Sequence, residues 1–171
     1  MLKGSSVELK LIEYEDLEDI FEMRNSSYEY FYEFPISFHN HLLWWEGYKK
    51  SLDLMFVIKH LKTHDRVGMV GLSRINLRNR HAEFGRFIVI DEYRGLGYGK
   101  ETIELVLEYA FNHLNLNKIY LDTLFSNKEA LSLYKKVGFI EYGSKIQHIF
   151  KNGEYKDLIC MYILKEKWRL E

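Results

Sequence analysis

The stretch Arg94-Gly95-Leu96-Gly97-Tyr98-Gly99-Lys100 places three glycines and two cations between an apolar run with strand character and an amphipathic run with helical character. Few local patterns restrict a fold so tightly. Glycines let successive main-chain N–H groups converge without Cβ obstruction, and the positive end of a following helix adds attraction for a multiply charged anion. The stretch therefore reads as a phosphate cradle, with a nucleotide-like pyrophosphate as its ligand. A nucleotide-hydrolase P-loop does not fit, because Gly95 and Gly99 enclose only three residues and Glu101 stands where a magnesium-binding hydroxyl belongs. A dinucleotide fingerprint fails too, since Lys100 occupies its third glycine position.

The flanks give the loop its setting. Val7–Leu11 alternates apolar and polar residues and predicts a strand; Asp16 to about Ser26 and His39 to about Ser51 predict helices, the second rich in aromatic residues. Strands are then expected over Leu54–His60, Val67–Asn76 and Ala82–Ile90, the last feeding the glycine loop. Ile103, Val106, Leu107, Ala110, Phe111 and Leu114 form a wide apolar stripe on a helix from Glu101 to about Asn115. Lys118–Thr123 reads as a strand, and Ser126 to Glu129 as a capping box opening a helix that Gly138 stops. Phe139–Tyr142 and Leu158–Leu164 supply two more strands around an excursion containing Asn152-Gly153.

Composition narrows the function. A formal charge of −1 over 171 residues leaves no broad basic footprint, so a nucleic-acid partner is not expected. No run reaches the length of a membrane span and no signal-peptide core opens the chain, so a soluble, cytoplasmic protein without a membrane partner is expected. The one cysteine, Cys160, lies in an apolar strand pattern and reads as a small buried hydrophobe. The seven histidines lack zinc-site spacing, so no metal is expected.

Arg94, Gly97 and Gly99 satisfy Arg-x-x-Gly-x-Gly, and Asn127-x-x-Ala130-x-x-x-Tyr134-x-Lys136-x-Gly138-Phe139 follows downstream. In this order the two motifs resemble the coenzyme-binding signatures of the GNAT superfamily of acetyl-CoA-dependent N-acetyltransferases, and the resemblance runs over roughly residues 4 to 168. It implies an α+β fold, one GNAT-like domain over residues 1–171 with a mixed central sheet of about six to seven strands flanked by helices. Arg24-Asn25, Arg80 to Phe84, Tyr109-Ala110-Phe111, Gly153-x-Tyr155-x-Asp157 and Lys167-Trp168 resemble the branch of ribosomal-protein N-terminal, spermidine and amino-sugar-nucleotide acetyltransferases. A homodimer is expected from family habit alone.

The chemistry implied by the resemblance is direct acetyl transfer from acetyl-CoA to a primary amine. An aliphatic ammonium is only about one part in a thousand neutral at pH 7, so a route for its proton is needed. The main chain of Phe87, Ile88 and Val89 is expected to meet pantetheine and the thioester oxygen, and Arg94 through Lys100, with Leu96 and Tyr98 among them, the pyrophosphate. Asn127, Ala130 and Lys136 join the coenzyme set; for Asn127 a plain helix cap competes, as does Ser126 for the capping role. Tyr134 is the candidate general acid for the departing thiolate, and it too would touch the coenzyme. Glu83 is the candidate base, with Glu33 as an alternative.

The acceptor is less constrained. Glu29, Tyr30, Tyr32, Glu33 and Phe34 form an acidic-aromatic cluster suited to a polyamine. The segment Ile36 to Trp45, with His41 and Trp45, resembles one that meets a uracil or sugar ring in amino-sugar-nucleotide acetyltransferases, although a helix core is the competing account of its aromatics. The expected order is an amino-sugar nucleotide or other small primary amine, then a polyamine, then a protein N-terminus. A non-catalytic acetyl-CoA sensor is the alternative of a different class.

Overall fold

The computed structural model describes residues 1–30 and 35–168. Its elements are β1 (Leu2–Lys3), β2 (Val7–Leu11), α1 (Leu17–Ser26), α2 (Phe38–Tyr48), β3 (Leu54–His60), β4 (Arg66–Asn76), β5 (His81–Val89), α3 (Tyr98–Glu108), β6 (Lys118–Leu124), α4 (Lys128–Val137), β7 (Ile140–Lys151) and β8 (Glu154–Leu164). The strands form one sheet of eight, in the order β1-β2-β3-β4-β5-β6-β8-β7. Among the described residues only β5 and β6 run parallel, joined by the crossover through α3.

Strand alternation sends side chains to two cores. Phe56, Ile58, Val70, Leu72, Ala82 and Phe84 pack under α3 and α4, against Ile103, Leu107 and Phe111. Met55, Val57, Met69 and Ile88 face the other way, under α1 and α2, against Leu17, Ile20 and Trp45.

Several boundaries differ from the sequence expectation. Among the described residues the sheet has eight strands, because β1 is a two-residue strand too short to leave a pattern, and β7 runs far beyond Phe139–Tyr142. The supposed excursion is a continuous hairpin: Asn152 and Gly153 take positive φ of 53° and 79°, and Lys151 pairs with Glu154 across them. That is the twist-matched turn that Asn-Gly favours. After Glu108 the α-helical ladder widens into a π turn over Tyr109–His113, closed by the Leu114 N–H donating to the Tyr109 carbonyl at 3.0 Å. At α4 the cap is Asn127, whose Oδ1 accepts from the Ala130 N–H at 3.1 Å, in place of the expected Ser126 box. Gly138 closes the helix at φ 108°, a left-handed conformation that suits glycine. Cys160 is buried as expected, and burial first of all pushes its thiol pKa up to about 11.

Candidate active site

The site begins with a failure of strand pairing. His81, Ala82 and Glu83 pair with Lys118, Ile119 and Tyr120, and beyond Glu83 the β5–β6 ladder stops. From there β6 pairs on only with β8, while β5 stays with β4. The two parallel strands thus diverge into a wedge with main-chain groups of residues 84–89 on one side of it. Two bulges shape that side. Met69–Ile88 and Gly71–Gly85 are consecutive pairs, so β5 carries an extra residue near Arg86, whose φ is 48°; Ser73–Glu83 and Asn76–His81 place the opposite bulge near Arg74, at φ 51°.

A cleft of about 710 Å³ fills the wedge. Its coenzyme-like end is the glycine loop. Gly95 and Gly97 hold φ of 75° and 87°, and Gly97 caps α3 without any side-chain acceptor, so no side chain of the cap takes up the first N–H groups of the helix. The Arg94 guanidinium braces this loop: Nε donates to the Val89 carbonyl at 3.0 Å, Nη1 to the Tyr30 hydroxyl at 2.9 Å, and Nη2 lies 3.1 Å from Asp91. The Val89 carbonyl is thereby occupied by the loop's own arginine. Lys100 pairs with Glu104 at 3.3 Å.

The opposite end holds the titratable groups. Tyr134 projects from α4 against Phe84 and Phe139, with ring centroids 6.0 and 5.8 Å away. Burial alone raises its pKa well above the ordinary tyrosine range, so the hydroxyl keeps its proton. Glu83 lies between Ala82 and Phe84, both buried in the α3/α4 core, so its own side chain turns to the α1/α2 face. It pairs with Arg74 at 3.0 Å. Glu83 and Tyr134 therefore reach one cleft from opposite faces of the sheet, which only a divergent strand pair allows. Asp122 also lines the cleft and is paired with Lys145.

The model of the acetyltransferase (GNAT) family matches residues 17–139. The chain belongs to the GNAT family. It is an acetyl-CoA-dependent N-acetyltransferase, and some relatives resemble it over nearly the whole chain. A spermidine N(1)-acetyltransferase of Vibrio cholerae serotype O1 is 34% identical over 171 residues, covering 96% of each chain. The crystal structure of spermidine N-acetyltransferase from Vibrio cholerae in complex with CoA and spermine superposes with a TM-score of 0.88 at 34% identity, covering 96% of this chain and 98% of that one. A spermidine/spermine N-acetyltransferase of the same organism, solved in complex with manganese ions, matches with a TM-score of 0.82 at 35% identity, over 95% of each chain. Among the described residues of this GNAT chain, no group of three or more His, Cys, Asp or Glu is placed to hold a metal, and no helix is long and apolar enough to cross a membrane.

Most residues expected from the sequence meet in the GNAT cleft: Glu83, Phe87, Ile88, Val89, Arg94, Gly95, Gly97, Gly99, Lys100, Asn127, Ala130, Tyr134 and Lys136 all line it. Leu96 and Tyr98 do not. Leu96 is exposed, and Tyr98 turns back onto His60 and Tyr93, with ring centroids 5.7 and 6.1 Å away. Glu33 lies outside the described residues. The structure adds Arg74, Arg86, Asp122 and Thr123 to the lining, residues without a motif signal because the bulges and the wedge depend on non-local register.

His41 and Trp45 are corrected outright. They belong to the α1/α2 core: His41 is 1% exposed and stacks on Trp44 at 5.1 Å, and Trp45 packs with Leu17, Ile20 and Met55. The reason is helical phase, since positions 41, 45 and 48 share the face that α2 turns inward. Neither His41 ring nitrogen has a partner at full hydrogen-bond geometry. Burial lowers its pKa, the Leu17 main chain opposes part of that shift, and the nearby Arg24 adds to it. The unfolded chain then binds the His41 proton more readily than the folded one, so stability falls as pH drops through about 6.5. Urea unfolding between pH 7.5 and 5 is expected to show this loss, and His41→Phe, which keeps an aromatic ring there, to flatten it; an unchanged slope would exonerate His41.

Proposed function

We propose that this enzyme acetylates a primary amine of a polyamine such as spermidine. The observation that carries the reading is the end-to-end likeness to spermidine acetyltransferases, one of them solved with CoA and spermine. The amino-sugar nucleotide that sequence reasoning ranked first loses its support, because the two residues meant to meet its rings, His41 and Trp45, are committed to the core.

Acetyl-CoA supplies the acyl group as a thioester, whose carbonyl is open to attack by a neutral amine. The loop from Arg94 to Lys100 receives the pyrophosphate through main-chain N–H groups at the start of α3. Asn127, Ala130 and Lys136 border the coenzyme arm along α4. The amine approaches from the α1/α2 face, where Glu83 takes its proton directly or through a water. Main-chain N–H groups of the Phe87–Val89 segment stabilise the oxyanion formed as nitrogen bonds to the carbonyl carbon. Collapse breaks the carbon–sulfur bond, and Tyr134 gives its proton to the departing thiolate and regains one from solvent as CoA leaves.

A thiol-release assay with acetyl-CoA and spermidine, spermine, an amino-sugar nucleotide or an N-terminal peptide tests the substrate class. Turnover with the polyamines, at a kcat/KM at least about tenfold above the other acceptors, is expected. Turnover confined to the nucleotide or the peptide would reject the polyamine reading while leaving acetyl transfer intact.

A further inference from the structure

The first turn of α3 is tied to the far edge of the sheet by a contact that the catalytic scheme does not use. One carboxylate oxygen of Glu101, Oε1, accepts from the Ser6 N–H at 2.9 Å and from the Ser5 hydroxyl at 2.9 Å, and also from the Ser5 N–H. These donors sit in the turn between β1 and β2, which the Gly4 N–H closes by donating to the Val7 carbonyl at 2.9 Å. A Cβ on Gly4 would run into the Glu101 carboxylate, so the close approach requires glycine.

We infer that Glu101 is a positioning residue for acetyl-CoA, anchored by the Gly4-Ser5-Ser6 turn. The physical problem it solves is specific to this helix. A glutamate in the first turn puts negative charge beside the N–H groups and the dipole that a pyrophosphate needs. Here Gly97 caps α3 without side-chain help, and Glu101 turns outward onto another segment's donors. The carboxylate is thus held by hydrogen bonds from the turn, and the same bonds fix the rotation of α3 about its axis. That rotation sets where the N–H groups of residues 98–100 point.

The inference rests on reading residues 94–100 as the pyrophosphate loop, and the experiment separates the two. CoA binding is measured by calorimetry and steady-state constants by thiol release for Glu101→Ala, Glu101→Gln, Gly4→Ala and, as a control on the loop itself, Gly97→Val. Glu101→Ala is expected to weaken CoA binding and raise the acetyl-CoA KM by about tenfold, with kcat and the amine KM within about twofold. Glu101→Gln, which keeps an acceptor oxygen for the turn, should stay within about twofold of the parent protein. Gly4→Ala, which pushes the carboxylate off its donors, should move in the same direction as Glu101→Ala. Unchanged or tighter CoA binding in Glu101→Ala would overturn the inference, tighter binding meaning that the carboxylate only repels the coenzyme. Equal losses in kcat and both KM values, or a glutamine variant as weak as the alanine one, would overturn it as well. Unaltered CoA binding in Gly97→Val would instead reject the loop assignment.

Discussion

Tyr134→Phe is expected to lower kcat by about 10²-fold while leaving CoA binding within about twofold. The phenylalanine keeps the ring that packs on Phe84 and Phe139, so the cleft wall and α4 stay in place. What disappears is a hydroxyl whose proton is held far above the working pH by burial. A group so protonated is useful in one direction only, as a donor, and the thiolate leaving the thioester is the species that needs one. Because the resting hydroxyl stays protonated across pH 6 to 9, the loss should be the same over that range and no shift in pH should rescue it. The measurement is kcat at saturating acetyl-CoA, alongside calorimetric CoA binding. A kcat that is unchanged, or that falls only as binding falls, would remove Tyr134 from the proton path and leave it a packing residue.

That tyrosine was legible in the sequence because its motif is local. Ala130 and Tyr134 lie one turn apart on a short helix that Asn127 caps, where spacing alone fixes which side chains share a face, and both line the cleft together with Asn127 and Lys136. The glycine loop was legible for the same reason. The wedge between β5 and β6 was not, since it depends on where a parallel ladder stops, and no run of residues in either strand marks that point. The bulges at Arg74 and Arg86 were hidden differently: both place a non-glycine residue at positive φ, against ordinary preference. Their side chains reach the cleft as a result. Aromatic content in α2 misled the substrate assignment because a buried stripe and a ligand-facing stripe have the same sequence period. Only the partner surface distinguishes them, and for His41 and Trp45 that surface is α1 and the sheet. The Asn152-Gly153 dipeptide marks the turn of the β7–β8 hairpin and sets the pairing of Ile149–Lys151 with Glu154–Lys156, but the register shifts beyond Ile149 and again between Glu141 and Gly143, which no dipeptide announces.

Gly97→Val tests the coenzyme end with an effect of comparable size. Gly97 sits at φ 87° and ψ −11°, and a Cβ built there meets no protein atom within 4 Å. The cost to folding is therefore conformational, with no steric clash: about 1–2 kcal/mol for a β-branched residue held left-handed, or a few degrees in Tm. The cost to binding should be larger, because Gly97 lines the cleft beside Arg94 and opens the first turn of α3. An isopropyl group there would hold a pyrophosphate off the N–H groups and keep water between them. CoA affinity is expected to fall by about 10²-fold, and kcat at saturating acetyl-CoA by much less. Thermal unfolding and calorimetry on the same sample separate the two costs. A Tm loss with intact affinity would mean that the coenzyme phosphates bind elsewhere in the cleft, with the glycines serving only the turn. An affinity loss well beyond the stability loss is what a cradle made of main-chain donors requires, since those donors have no side chain that can swing away from the intruding group.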